Sequence, residues 1–222
     1  MVKPCYCKKI YLNKIELRPD SILQLMPDQE GGGRQTHSLR LKDKNGKEWV
    51  LRSVDKTYEK ALDPIYKGSF ISRIAKDQAS TVHPYAALTV AYIIEPTGIY
   101  HPQPQLVYLP SQPQLGEFNK DYGDKLYFLE QRPDGNWEEA ANFGHAKKII
   151  GTDKLFEKIF DDNDNHVDQK AYLRARLFDM FMGDWGRTPD NWRWAEFDNG
   201  KNKIYKPIPR DRDQTFSIYD GL

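Results

Sequence analysis

Cysteine is nearly missing from this chain: Cys5 and Cys7 are the only two among 222 residues. A single intervening residue is poor spacing for a disulfide or a zinc knuckle, so the pair reads as free thiols and assigns no compartment. Long apolar runs are missing too. No stretch approaches the roughly 20 residues of a membrane-spanning helix, and the opening Met-Val-Lys-Pro-Cys-Tyr-Cys-Lys-Lys lacks the apolar centre of a secretion signal. Net charge is almost nil, with 33 Lys and Arg against 32 Asp and Glu. That balance supplies no bulk field for nucleic acid or acidic membranes, so nucleic acid is not an expected partner and any phosphate recognition must be local. No internal repeat or low-complexity tract is visible. What is present, 39% hydrophobic and 29% charged residues, suffices to bury a core as one domain or as two lobes sharing a cleft.

Residues 10–54 alternate as strands do: Ile10 and Leu12, Leu39 and Leu41, then Trp49, Leu51 and Ser53 against Val50, Arg52 and Val54. Asn45-Gly46 between two of these runs marks a hairpin turn. Residues 63–94 look mainly helical with a break at His83-Pro84, because proline removes a helix donor and restricts its predecessor. A proline-rich stretch over 100–115 contains a strand-like 106–109. Residues 126–130 form another expected strand, followed by a turn at Arg132-Pro133-Asp134-Gly135, where a linker between lobes fits. Further on, helices are expected over 152–160 and 168–182. The second has Asp168 as N-cap and Tyr172, Leu173, Leu177, Met180 and Phe181 on one face, which predicts a core helix. Asp161-Asp162-Asn163-Asp164-Asn165 lacks the glycine and glutamate of a calcium loop and reads as a solvated turn.

The chemistry concentrates between Asp179 and Phe216. Asp184, Asp190 and Asn191 form one group of oxygen ligands, and Asp211 and Asp213 another; the stretch between them can fold as a hairpin and bring the groups together. Such a pair suits a hard divalent cation that also holds phosphate oxygens, although acidic residues beside Trp and Pro are also ordinary turn formers. Upstream, Gly31, Gly32 and Gly33 precede a strand and would let backbone amides approach phosphates, or simply form a flexible turn. Arg52 or Lys56 puts a cation on or just after the following strand, where kinases keep a phosphate-binding lysine. Asp77 stands in the helical region where kinases hold that cation with a carboxylate. Glu130, at the end of a strand beside the expected linker, completes the candidate nucleotide-binding set. Trp185, Trp192 and Trp194 read as core aromatics rather than a sugar platform. The joint order of glycine loop, strand cation, helix carboxylate, strand and linker, long helix, polar loop ending in Asn, hairpin and Asp is the order of parts in a kinase-like fold.

The segments 183–192 and 209–216 resemble the catalytic and metal-binding segments of atypical kinases of the HipA, spore-coat CotH and phosphoinositide-kinase kind. Over nearly its whole length, with residues 31–38, 50–56, 77–88 and 171–194 carrying the likeness, the chain also resembles an uncharacterised domain of large cell-envelope proteins of Bacteroidetes. The resemblance implies an α+β, two-lobed protein-kinase-like fold. Residues 1–132 would form an N-lobe with an antiparallel sheet, and residues 133–222 a mainly helical C-lobe portion. It implies ATP with Mg or Mn, metal ligands Asn191, Asp211 and Asp213, a protein or small-molecule phosphate acceptor, and a periplasmic or envelope location.

The departures from that pattern matter. Those kinases use Asp-x-His-x-x-Asn, and alignment on Asn191 puts Gly186 at the Asp position and Thr188 at the His position. Glycine accepts no proton, so the usual base is missing, and Asp184 is the remaining candidate for that role. The chain ends at Leu222, soon after the metal aspartates, as an abbreviated C-lobe or a piece of a longer protein would. Three expectations follow: an active phosphotransferase, a catalytically silent relative that binds nucleotide or a partner through the same cleft, and a structural module of an envelope assembly.

Overall fold

Alternating apolar and polar residues build two β-sheets, one from strands up to residue 131 and the other from strands after residue 147. The computed structural model describes residues 13–17, 23–31, 38–54, 69, 83–212 and 214–216. The first sheet contains β1 (Asn13–Lys14), β2 (Met26–Gly31), β3 (Ser38–Lys42), β4 (Glu48–Ser53), β5 (Gln105–Leu109) and β6 (Lys125–Gln131), in the order β1-β5-β6-β4-β3-β2. Only β1 and β5 pair in parallel, which makes the expected antiparallel sheet a mixed one at that edge. The second sheet contains β7 (Lys148–Gly151), β8 (His166–Val167), β9 (Trp192–Asn199) and β10 (Asn202–Pro209), in the order β7-β9-β10-β8, with β8 and β10 parallel. Four α-helices are described: α1 (Ala86–Ile94), α2 (Asn119–Tyr122), α3 (Thr152–Asp161) and α4 (Gln169–Phe181). The architecture is α+β.

The turn chemistry explains the hairpins. Between β3 and β4 the Asp43 carboxylate accepts from Asn45 N and Lys47 N at 2.8 and 2.9 Å, and Gly46 takes φ 76°, a conformation that costs glycine nothing. Asn199-Gly200, with Gly200 at φ 70°, closes β9 onto β10 in the same way. These two eight-residue strands make a sheet the centre of the second half, where a mainly helical portion was expected. The chain passes from one sheet to the other just after β6: Arg132 N still donates to Glu48 O at 2.9 Å, while Gly135 already bridges Ile149 of β7. The turn at 161–165 is tied down rather than merely solvated, since Asn165 is buried, accepts from Lys203 N and donates to Lys158 O.

One face of the first sheet buries Leu39, Leu41, Leu51, Val107, Tyr127 and Leu129, and its other face carries Arg40, Arg52 and Glu130. The second sheet is covered on both sides. Ile150, Trp192, Trp194 and Tyr205 pack under α1, α3 and α4, and Ile149, Ala195 and Ile208 pack against Trp137, Phe143 and Ala146. Trp192 and Trp194 are core residues as expected, stacked 5.9 Å apart with Tyr172 beside them, whereas Trp185 is exposed. Trp49 of β4 reaches both the first core and the Trp137 cluster.

Helix α4 begins as expected, with the Asp168 carboxylate accepting from Ala171 N at 3.0 Å. It then turns its other side inward. The buried face is Ala175, Phe178 and Asp179, while Leu173, Leu177, Met180 and Phe181 are exposed, Phe181 to 81% and Leu177 to 55%. Two stripes of helical period coexist in this segment, and periodicity cannot choose between them. Small Ala175 allows close approach to β10, and ion pairs make Asp179 tolerable inside. Leu173→Gln and Leu177→Gln are therefore expected to change unfolding free energy by no more than about 0.5 kcal/mol in urea denaturation, as surface substitutions do; a loss above about 2 kcal/mol would mean that the stripe is covered.

Candidate functional site

The charged face of the first sheet meets the end of the β9–β10 hairpin. Arg52 and Glu130 lie on the same face of β4 and β6 and form an ion pair through Arg52 Nε. Arg52 Nη1 also donates to Asp211 Oδ1 at 3.2 Å, across 159 positions of sequence. Asp211 follows β10 in the left-handed region, at φ 56°, where a short polar side chain is tolerated. Arg52, Glu130 and Asp211 thus come together and line a small cavity of about 40 Å³ with His83 and Phe128, while Glu130 and Asp211 line another of about 30 Å³ with His101 and Arg210.

The hairpin brings Asn191 to the same end. Trp192 is paired with Pro209, and Arg210 N donates to Asn191 O at 2.8 Å, so Asn191 and Asp211 flank the mouth of the hairpin. The Asn191 side chain is engaged locally: its Oδ1 accepts from Thr188 Oγ1 at 2.6 Å and its Nδ2 donates to Gly186 O at 2.9 Å. Asp190 is exposed. Among the described residues no group of three or more His, Cys, Asp or Glu side chains is arranged to hold a metal. The donor set here is one amide oxygen and one carboxylate, oxygen ligands of the kind Mg or Mn accepts. Gly31, at the end of edge strand β2, lies two strands from Arg52, its Cβ position 3.0 Å from Ser38 Oγ. Gly32, Gly33, Lys56, Asp77 and Asp213 lie outside the described residues.

Asp184 sits deeper. Its carboxylate is 2% exposed and is held by Arg187 Nη2, with Arg212 Nη1 at 3.6 Å. Beside it, fully buried Asp179 accepts from Arg187 at 3.0 and 3.2 Å, from Arg212 at 2.8 Å and from Arg176 at 2.9 Å. Arg187 also donates to Arg210 O, so one guanidinium ties the end of α4, the 184–187 loop and the segment after β10 together. Burial pushes the Arg212 pKa down to about 10, with Arg187 adding to the shift and the two aspartates opposing it, so the group stays charged at neutral pH. Sequence reasoning did not single out Asp179, Arg187, Arg210 or Arg212. The available signal was an acid within the apolar run Phe178-Asp179-Met180-Phe181, which is rarely left inside a protein unpaired.

At Gly186 an added Cβ would lie 2.5 Å from the Gln214 side-chain oxygen, so Gln214 occupies the space where a proton acceptor at position 186 would stand. A larger cavity of about 570 Å³ lies on another side of the molecule, among Lys47, Trp49, Gln131, Trp137, Glu139 and Asn142, and involves none of the candidate residues. No helix among the described residues is long and apolar enough to cross a membrane. No family model matches this chain, and no curated protein matches it.

Proposed function

We propose that this chain is a nucleotide- and metal-binding domain of kinase-like, two-lobed design, in which phosphotransfer is absent or slow. The observation that carries the reading is the meeting of Arg52 with Glu130 and Asp211, a strand cation and a post-hairpin carboxylate from opposite ends of the described chain. In this reading Asn191 and Asp211, with Asp213 from the sequence, hold Mg or Mn, and Arg52 holds a phosphate of ATP. The Arg52–Asp211 pair is partly exposed, and pairs of this kind contribute about 0–1 kcal/mol, so a cation arriving with nucleotide can displace Arg52 from Asp211 at little cost. Nucleotide has to open the small cavities beside Arg52 as it enters. Silence follows from Gly186, Thr188 and the ion-paired Asp184, whose buried carboxylate is held by Arg187 and Arg212 rather than presented to an acceptor hydroxyl. The alternative, a partner-binding module of an envelope protein, is favoured by the exposed apolar stripe of α4.

Thermal stability in ATP, ADP or GTP, each with and without Mg or Mn, tests the reading. Saturation at a hundred times Kd is expected to stabilise the wild type by about 2.7 kcal/mol, only with metal. Asp211→Asn, chosen because Asn also tolerates the left-handed backbone, and Asn191→Ala should remove that gain without lowering the ligand-free melting point by more than a few degrees. Unaltered metal-dependent stabilisation in both variants, or none in the wild type with any nucleotide, would overturn the reading.

A further inference from the structure

Among the described residues, the mouth of the β9–β10 hairpin gathers several guanidinium groups. Arg193 is paired with Ile208, and Arg210, just beyond β10, still donates its N to Asn191 O in the same register, which makes the two arginines diagonal neighbours at the hairpin mouth. Such neighbours stand roughly 7–8 Å apart, a span that one tetrahedral oxyanion can bridge. Three of the nearby acids are already taken. Arg52 is paired with Glu130 and Asp211, and Arg132 with Glu48. Arg193 spends Nη1 on the carbonyl oxygens of Asp190 and Trp192, at 3.3 and 2.9 Å, while its buried Nε has no partner among the described residues. The Arg210 side chain makes no hydrogen bond or ion pair among the described residues, although it is only partly exposed. The charges that act on it are those of Arg193, Arg52 and Arg132, opposed by Glu130, so its neighbourhood is net positive. A half-buried cation with no directly paired carboxylate among the described residues is costly, and a guanidinium fork matches phosphate oxygens in geometry as well as charge.

We propose that Arg210 and Arg193 form a binding site for a phosphate-type oxyanion at the mouth of the β9–β10 hairpin, with Arg210 as the principal ligand. The site needs neither metal nor nucleotide, and it adds a phosphate contact distinct from Arg52 if nucleotide binds beside it.

The test is calorimetric titration of the chain with inorganic phosphate and with pyrophosphate, without metal and at constant ionic strength. Binding is expected for the wild type, tighter for pyrophosphate. Arg210→Gln should weaken it at least tenfold, the loss of one charge-assisted contact, and Arg210→Lys should keep part of the affinity because the charge remains without the fork. Lys201→Gln, at the far turn of the hairpin, should leave binding unchanged. Because the Arg210 guanidinium has no paired carboxylate among the described residues, Arg210→Gln should melt no lower than the wild type; should it nevertheless unfold, Arg193→Gln decides the matter by the same titration. Asp211→Asn separates this proposal from the nucleotide reading: it should abolish metal-nucleotide stabilisation while leaving metal-free pyrophosphate binding equal or tighter, since a nearby negative charge has gone. A metal-nucleotide response alone supports the nucleotide reading and rejects this site. Absence of pyrophosphate binding in the wild type, or equal binding in Arg210→Gln and Arg193→Gln, overturns the proposal.

Discussion

Asp179→Asn is expected to lower unfolding free energy by about 3–5 kcal/mol, measured by urea denaturation at neutral pH. Removing one partner of a buried ion pair leaves the other charge desolvated and uncompensated, and the loss is of this size where pairing was close. Asp179 is fully buried and accepts from Arg176, Arg187 and Arg212, two of which are themselves almost completely buried. Asn keeps the shape but turns an amide N–H toward guanidinium groups that need acceptors. Asp184 still faces Arg187 and Arg212, which keeps the loss from growing further. A loss below about 1 kcal/mol would mean that Asp179 does not anchor the loop. By the same logic Arg187→Met should be milder than Arg187→Ala, because it retains packing against Trp192, whose ring centre lies 5.7 Å from the guanidinium carbon.

Trp137→Ala is expected to cost about 3–5 kcal/mol, the range for a large aromatic deleted from a well-packed core. Its ring is 1% exposed, makes an edge contact with Phe143 at 5.4 Å and another with Trp49 at 6.0 Å, and its Nε1 donates to Asp134 O at 3.0 Å. Trp49 belongs to β4 of the first sheet, and Trp137 covers the second, so this contact joins the two sheets at the point where the chain crosses between them. A double-mutant cycle with Trp49→Ala should give a coupling of about 0.5–1.5 kcal/mol beyond the area each ring buries. Simple additivity of the two losses would show that the sheets do not depend on this contact.

Much of the local structure was legible because it rests on nearest neighbours in sequence. The turn at Asn45-Gly46, the strand over 126–130, the cap at Asp168 and the close return of the chain between Asn191 and Asp211 follow from backbone preferences and side-chain hydrogen bonds over a few residues. The failure at α4 is instructive for the same reason. Leu173, Leu177, Met180 and Phe181 carry more apolar surface than Ala175, Phe178 and Asp179, so a count of hydrophobic residues picks the outer face. The inner face is chosen by fit against β10 and by three arginines that neutralise Asp179, and only Arg176 lies on the same helix.

The candidate site divides along the same line. Residue types and their order mark out Arg52, Glu130, Asn191 and Asp211 as chemistry-bearing groups, because strand alternation sets which face Arg52 occupies and a hairpin sets that Asn191 and Asp211 share one end. Which cation stands beside which carboxylate depends on contacts between residues 78 and 159 positions apart, and no local rule assigns them. The burial of Asp184 with Arg187 and Arg212, the Gln214 side chain against Gly186, and the net positive surroundings of Arg210 likewise arise only when the segment after β10 folds back on the end of α4. By itself the sequence determined the turns, the cap of α4 and the residue types at the hairpin mouth, since these are set by short-range sterics and hydrogen bonding. The tertiary structure alone decided the buried face of α4 and the pairing of charges, since desolvation and Coulomb energy depend on distance in space.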